Sequence, residues 1–168
     1  PARLLGEIVS KLSSDSPVSL SSDTGADQVE LTSSSGSYQM RGMPADDFPE
    51  LPLVENGTAL RVDPASLLKA LRATLFASSG DEAKQLLTGV HLRFNQKRLE
   101  AASTDGHRLA RSQMDLPGGA ESMPSVIVPR KAVGELSKLI DEYEGDVRIG
   151  ITDSRARFTC GSVEVTTS

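Results

Sequence analysis

The chain has 168 residues, 38% hydrophobic and 24% charged, with a formal net charge of −5. That length suits one to two small domains with a real core, and no apolar run approaches the roughly 20 residues that span a bilayer. The acidic balance argues against an ordinary nucleic-acid binder, and one cysteine, Cys160, excludes an internal disulfide and fits a reducing cytoplasm.

The first predicted element is a helix, Pro1-Ala2-Arg3-Leu4-Leu5-Gly6-Glu7-Ile8. Proline at the first helical position gives up only an amide that has no partner there. Leu4, Leu5, Ile8 and Leu12 recur three and four apart, which predicts one buried stripe. Three short alternating runs follow, Val18–Leu20, Gln28–Thr32 and Ser37–Arg41, separated by Ser, Gly and Asp. Met43 to Pro52 then carries three prolines, which predicts an extended linker with apolar anchors at Phe48 and Leu51, and a domain boundary.

Thr58–Val62 reads as a strand leading into a second helix, Pro64 to Ala77, with Asp63 as N-cap and Leu67, Leu68, Leu71 and Leu75 as its stripe. After a polar loop come strand signals at Val90–Phe94, Leu99–Thr104 and His107–Ser112. Ser125–Val128 leads into a third helix, from Pro129, with Val133, Leu136 and Ile140 inward. Val147–Ile151, Arg155–Cys160 and Val163–Val165 read as the last strands.

The three proline-led helices start 63 and then 65 residues apart, so the pattern strand, helix, three strands repeats about every 64 residues. One helix on four strands cannot cover its own sheet edges, so such units should pair edge to edge and can close into a ring. The expected fold class is α+β, with helices on one face of antiparallel sheets. The chain opens on a helix without Met and stops inside a strand pattern, as expected of a piece of a longer protein.

An Asp and a His stand together in Ser103-Thr104-Asp105-Gly106-His107-Arg108-Leu109. The spacing favours a hairpin over catalysis, with Asp105 and Gly106 as a two-residue turn and Thr104 and His107 as its flanks. No phosphate loop, nucleophile elbow or dinucleotide fingerprint occurs, and His91, His107 and Cys160 have no metal-ligand spacing. His91 reads as structural and Cys160 as a buried small hydrophobe. Basic residues on the helices say more. Lys69 and Arg72 are the only charges of the second helix, with no acid beside them, and Arg130 and Lys131 open the third. Arg3 and Lys11 belong to the first, and Lys84 and Gln85 would extend the same band. A basic band on an acidic protein suggests non-specific phosphate contact on one surface.

Three stretches, Thr104 to Ala110, Val126 to Lys131 and Met43 to Pro49, together resemble the bacterial sliding clamp family, the beta subunit of DNA polymerase III. The resemblance implies a DNA-clamp fold. Residues 1–48 would be the C-terminal part of a first clamp domain, 49–56 a linker, and 57–168 a second, central domain that is incomplete at its C-terminus. It implies a non-catalytic processivity factor without a cofactor or metal. Its subunits would form a homodimer ring around double-stranded DNA, and it would dock the polymerase III catalytic subunit, the clamp loader and other polymerases and repair proteins. Carried over by position, Leu87, Thr104, Gly106, His107, Arg108 and Leu109 would line a pocket for partner peptides, shared with a third domain. Lys69, Arg72, Lys84, Arg130 and Lys131 would face DNA, and Gln85 and Leu86 stand where some members touch DNA through aromatic residues. The alternative is a repeat-built protein–protein interaction module that never encircles DNA, and a hydrolase using Asp105 and His107 ranks third.

Overall fold

The computed structural model describes residues 2–22, 27–50, 58–120, 123–152 and 155–168. It divides into two compact units, Pro1–Leu51 and Pro52–Ser168. The expected linker at 49–56 lies, from residue 51 onward, outside the described residues.

The first unit holds α1 (Ala2–Val9), β1 (Ser19–Ser22), β2 (Gln28–Ser33) and β3 (Gly36–Arg41). The strands form an antiparallel sheet in the order β1-β2-β3. Only Leu31 and Met40 are buried among its described apolar residues. The predicted buried stripe on α1 is therefore not found: no residue of that helix is buried, and Leu4 is 43% exposed. Three strands rich in Ser, Gln and Glu offer too little apolar surface to cover a helix.

The second unit follows the predicted repeat twice. Its first copy is β4 (Thr58–Val62), α2 (Pro64–Leu75), β5 (Gly89–Asn95), β6 (Arg98–Thr104) and β7 (Leu109–Asp115). Its second is β8 (Val126–Pro129), α3 (Arg130–Asp141), β9 (Val147–Ile151), β10 (Ala156–Cys160) and β11 (Val163–Thr167). The two copies do more than meet edge to edge: they exchange their first strands. β8 pairs with β5 and β4 pairs with β9, giving antiparallel sheets in the orders β7-β6-β5-β8 and β11-β10-β9-β4.

Capping explains where the helices start. Pro64 is the first residue of α2, and the Asp63 carboxylate accepts the Ser66 backbone N–H at 2.8 Å. Hydrogen bonding from Ser66, side chain first and backbone second, holds the Asp63 carboxyl below its ordinary value. Such a cap contributes roughly 1 kcal/mol. α3 differs by one residue from expectation. Pro129 still belongs to β8, opposite Gly89, and the helix begins at Arg130, whose N–H bonds the Thr88 carbonyl at 2.9 Å.

One continuous core joins both copies. Leu67 and Leu71 of α2 and Val133, Leu136 and Ile140 of α3 meet Val90, Leu92, Leu99, Ile149 and Phe158 from the sheets. Burying each such side chain stabilises by about 1.5–3 kcal/mol. The helices pack on each other, α2 lying along β5, β6 and β7. At the end of α2 the buried Thr74 carbonyl accepts the Ser103 hydroxyl, which ties the helix to β6. Gly89 is required by β8: a Cβ there would collide with the Val128 carbonyl. Cys160 is 3% exposed, and burial pushes its thiol pKa up. No described helix is long and apolar enough to cross a membrane.

Candidate functional site

The loop between β6 and β7 is built by its own side chains. β6 ends at Thr104 and β7 begins at Leu109, directly opposite it, so the connection is four residues, Asp105 to Arg108. This corrects the expected two-residue turn. The Asp105 carboxylate accepts the backbone N–H groups of His107 and Arg108 at 2.9 and 3.0 Å, and its second oxygen accepts Arg108 Nε at 2.9 Å. The Thr104 hydroxyl accepts the Gly106 N–H at 3.1 Å and donates to the Arg108 carbonyl at 2.6 Å. Short polar side chains that bind backbone two residues on stabilise a longer loop than the Asp-Gly pair alone would predict. Gly106 has φ +95°, which only glycine adopts without strain.

The same bonds set the electrostatics. The N–H groups of His107 and then Arg108, with the Arg108 guanidinium beside them, bring the Asp105 carboxyl down to about 2. Asp105 touches the backbone of His107, so the pair is not arranged as base and orienter. Arg108 in turn lies over the ring of Phe76 at the end of α2, 5.7 Å from its centroid.

Beside this loop sits a small cavity of about 110 Å³ lined by Leu86, Gly89, His91, Ser103, Thr104 and Leu109, with Ala102. The structure thus brings Thr104 and Leu109 together on one wall. Leu87, from the 3₁₀ turn Gln85–Leu87, is half-buried and its carbonyl accepts the Ser79 N–H at 2.8 Å. Gly106, His107 and Arg108 are on the exposed loop above the cavity. Leu109 and Leu86 are 70% and 78% exposed, and Phe76, beneath the Arg108 guanidinium, is 57% exposed. Leu86 and His91 escaped the sequence reading as wall residues.

The basic residues have unequal surroundings. Lys69 and Lys84 are exposed and form no ion pair among the described residues. Arg72, expected to lack an acid, pairs with Asp141 of α3 at 2.9 Å, both side chains about half exposed. The partner came from 69 positions away, on the neighbouring helix, where a scan of one helix could not find it. Arg130 turns its guanidinium to the end of α2, bonding the Ser78 hydroxyl at 2.9 Å and the Ser78 and Leu75 carbonyls at 3.3 and 3.4 Å. A cation there meets the negative end of the helix dipole. Lys131 reaches Glu82 at 3.5 Å with both side chains highly exposed, a pair that contributes at most about 1 kcal/mol. Between the end of α2 and the start of α3 lies a groove of about 760 Å³ that both Arg130 and Lys131 line.

A family model described as the central domain of the DNA polymerase III beta subunit matches residues 61–168. The chain belongs to the DNA polymerase III beta subunit family. The beta sliding clamp of Synechococcus elongatus is 48% identical over 152 residues, covering 90% of this chain and 40% of the relative. That of Caulobacter vibrioides strain NA1000 is 32% identical over 170 residues, covering 99% and 46%. Among solved structures, the Bartonella birtlesii sliding clamp bound to griselimycin superposes with a TM-score of 0.88 at 38% identity, over 99% of this chain and 45% of that one. The beta subunit from Pseudomonas aeruginosa matches with TM-score 0.88 at 28% identity. The chain therefore spans a little under half the length of the sliding clamps it matches. The beta-subunit family match begins in β4 and runs through β11, so it contains the loop, the cavity and both basic helices of the second unit.

Proposed function

We propose that this chain is part of a sliding clamp, a non-enzymatic processivity factor whose homodimer ring encircles double-stranded DNA. Residues 1–48 would belong to its first domain and 57–168 to its second. The observation that carries the reading is the family match over 61–168, on a fold that superposes on solved clamps. The arrangement of the residues supports it. Exposed Lys69 and Lys84, with Lys131, offer mobile contacts to phosphates, while Arg72 and Arg130 also serve the packing of α2 against α3. A ring holds DNA by topology, so weak contacts suffice and a net charge of −5 aids sliding.

The cavity and loop would receive short peptides of the polymerase III catalytic subunit, the clamp loader and other polymerases and repair proteins. Leu87 and Leu109 would supply apolar walls and His107 and Arg108 a polar rim, with Thr104 and Gly106 completing the pocket on the loop. The proposal also places the protein in the cytoplasm, where replication partners are. The two surfaces give the test two arms, measured on the intact parent protein. Leu109→Ala or His107→Ala should weaken binding of a partner peptide while leaving the dimer intact. Lys69→Glu with Lys131→Glu should weaken DNA retention while leaving peptide binding intact. Loss of the dimer in the first arm, or of peptide binding in the second, would contradict the assignment.

A further inference from the structure

Neither basic helix nor the peptide loop accounts for a third cationic feature. The sheet β11-β10-β9-β4 turns Leu60, Val62, Val147, Ile149, Ala156 and Phe158 into the core. The alternate residues face away from it, and there Arg61 stands directly opposite Arg148 across the β4–β9 ladder. Arg148 is also opposite Thr159, and Arg157 lies one step along, opposite Gly150. Like charges directly opposed on a sheet destabilise it. Among the described residues none of these three arginines forms an ion pair or hydrogen bond through its side chain, and Arg61 and Arg148 are exposed.

Neither nearby acid forms an ion pair with the two arginines. Glu164 accepts the Thr159 hydroxyl at 3.2 Å, and Asp146 makes no ion pair with either arginine. Arg61, Arg148, Asp146, Tyr143 and Thr159, with Gly161, enclose a concavity of about 260 Å³. Arg61 and Arg148 stand side by side on adjacent strands, and a guanidinium fork can hold two oxygens of one anion. A single carboxylate would satisfy one fork and leave the other charge opposed. A phosphate dianion has enough oxygens and enough charge for both.

We infer that Arg61 and Arg148 form a phosphate-binding site on the outward face of this sheet, taking inorganic phosphate or a phosphomonoester borne on a larger molecule. The site is separate from the DNA-facing helices, so its failure would leave the clamp assignment standing.

The test is the thermal transition of the intact parent protein, followed while inorganic phosphate replaces chloride at constant ionic strength. The wild type should gain several degrees in a saturable curve, and the variant R61Q/R148Q should not respond. Without phosphate that variant should melt at or above the wild-type temperature, since the opposed charges are gone, which also shows that it folds. Phosphoserine in place of phosphate distinguishes the sources. Saturation at lower concentration than inorganic phosphate points to a phosphorylated partner, and equal or weaker saturation points to the free ion. An equal response in wild type and variant, or no response in the wild type, would overturn the inference.

Discussion

The two sheets of the second unit grow from one repeated pattern, yet they dispose of their outward charges in opposite ways. On β7-β6-β5-β8, Glu100 is opposite Arg93 and Gln113, and its carboxylate takes Arg111 and Gln113. Those bonds, Arg111 first, lower its pKa, and Arg98 pairs with Asp115 at 3.5 Å. On β11-β10-β9-β4, arginine opposes arginine, and no carboxylate forms an ion pair with either among the described residues. The first sheet pairs its outward carboxylates with arginines, and the proposed peptide-binding groups lie on the loop at its end. The second keeps its charge open across its face. The fold therefore repeats its architecture without repeating its surface, and both proposed sites lie on what is not repeated.

The largest effect should come from what the repeats share. Leu71→Ala in α2 and Leu136→Ala in α3 each empty a site that is 0% exposed, at a cost of about 2–5 kcal/mol. Because exchanged strands place both helices in one core, either variant should lower a single transition of this unit in chemical denaturation. Two transitions, each moved by only one variant, would mean that the repeats fold independently.

Next comes the loop that distinguishes the first sheet. Asp105→Ala removes the acceptor for two backbone N–H groups and the Arg108 guanidinium, and peptide binding should fall about tenfold or more. Asp105→Asn should lose less, because its amide oxygen still accepts the backbone donors. Equal losses would assign the effect to charge alone, not to loop geometry. A smaller, pH-driven effect follows from the same carboxyl. Its folded value, about 2, lies below the ordinary 3.8, so its support is complete above about pH 4 and is lost as pH falls through 2. The His107 and Arg108 amide resonances should hold steady to about pH 3 and move below it; movement centred near pH 4 would contradict the hydrogen bonds.

The smallest effect tests the closed surface. Arg98→Gln breaks an exposed pair at 3.5 Å and should leave the denaturation midpoint within experimental scatter. A clear loss would show that this sheet depends on its ion pairs.

Much of this was legible in the sequence because it is local. Helix starts at Pro64, the Asp63 cap and the alternating runs depend on neighbours a few residues apart, and the helix-and-strand order came out as expected. The exchange of β4 and β8 was not legible, since nothing within either strand names its distant partner. Arg72 shows the same limit for charge: its acid sits on another helix. At the site, the Asp-Gly pair marked the right hairpin, but Thr104 and Asp105 bind the backbone and lengthen its loop. Leu86 and Phe76 could be placed at the rim only once α2, the 3₁₀ turn and β7 stood side by side. On α1, periodicity predicted a buried stripe that its small sheet does not cover.

The most direct test of the clamp assignment is topological. The intact parent protein would be loaded onto nicked circular DNA, separated by gel filtration, and compared before and after one cut in the circle. The protein should stay with the circle and leave the linear form. Equal retention on both, or retention on neither, would contradict it.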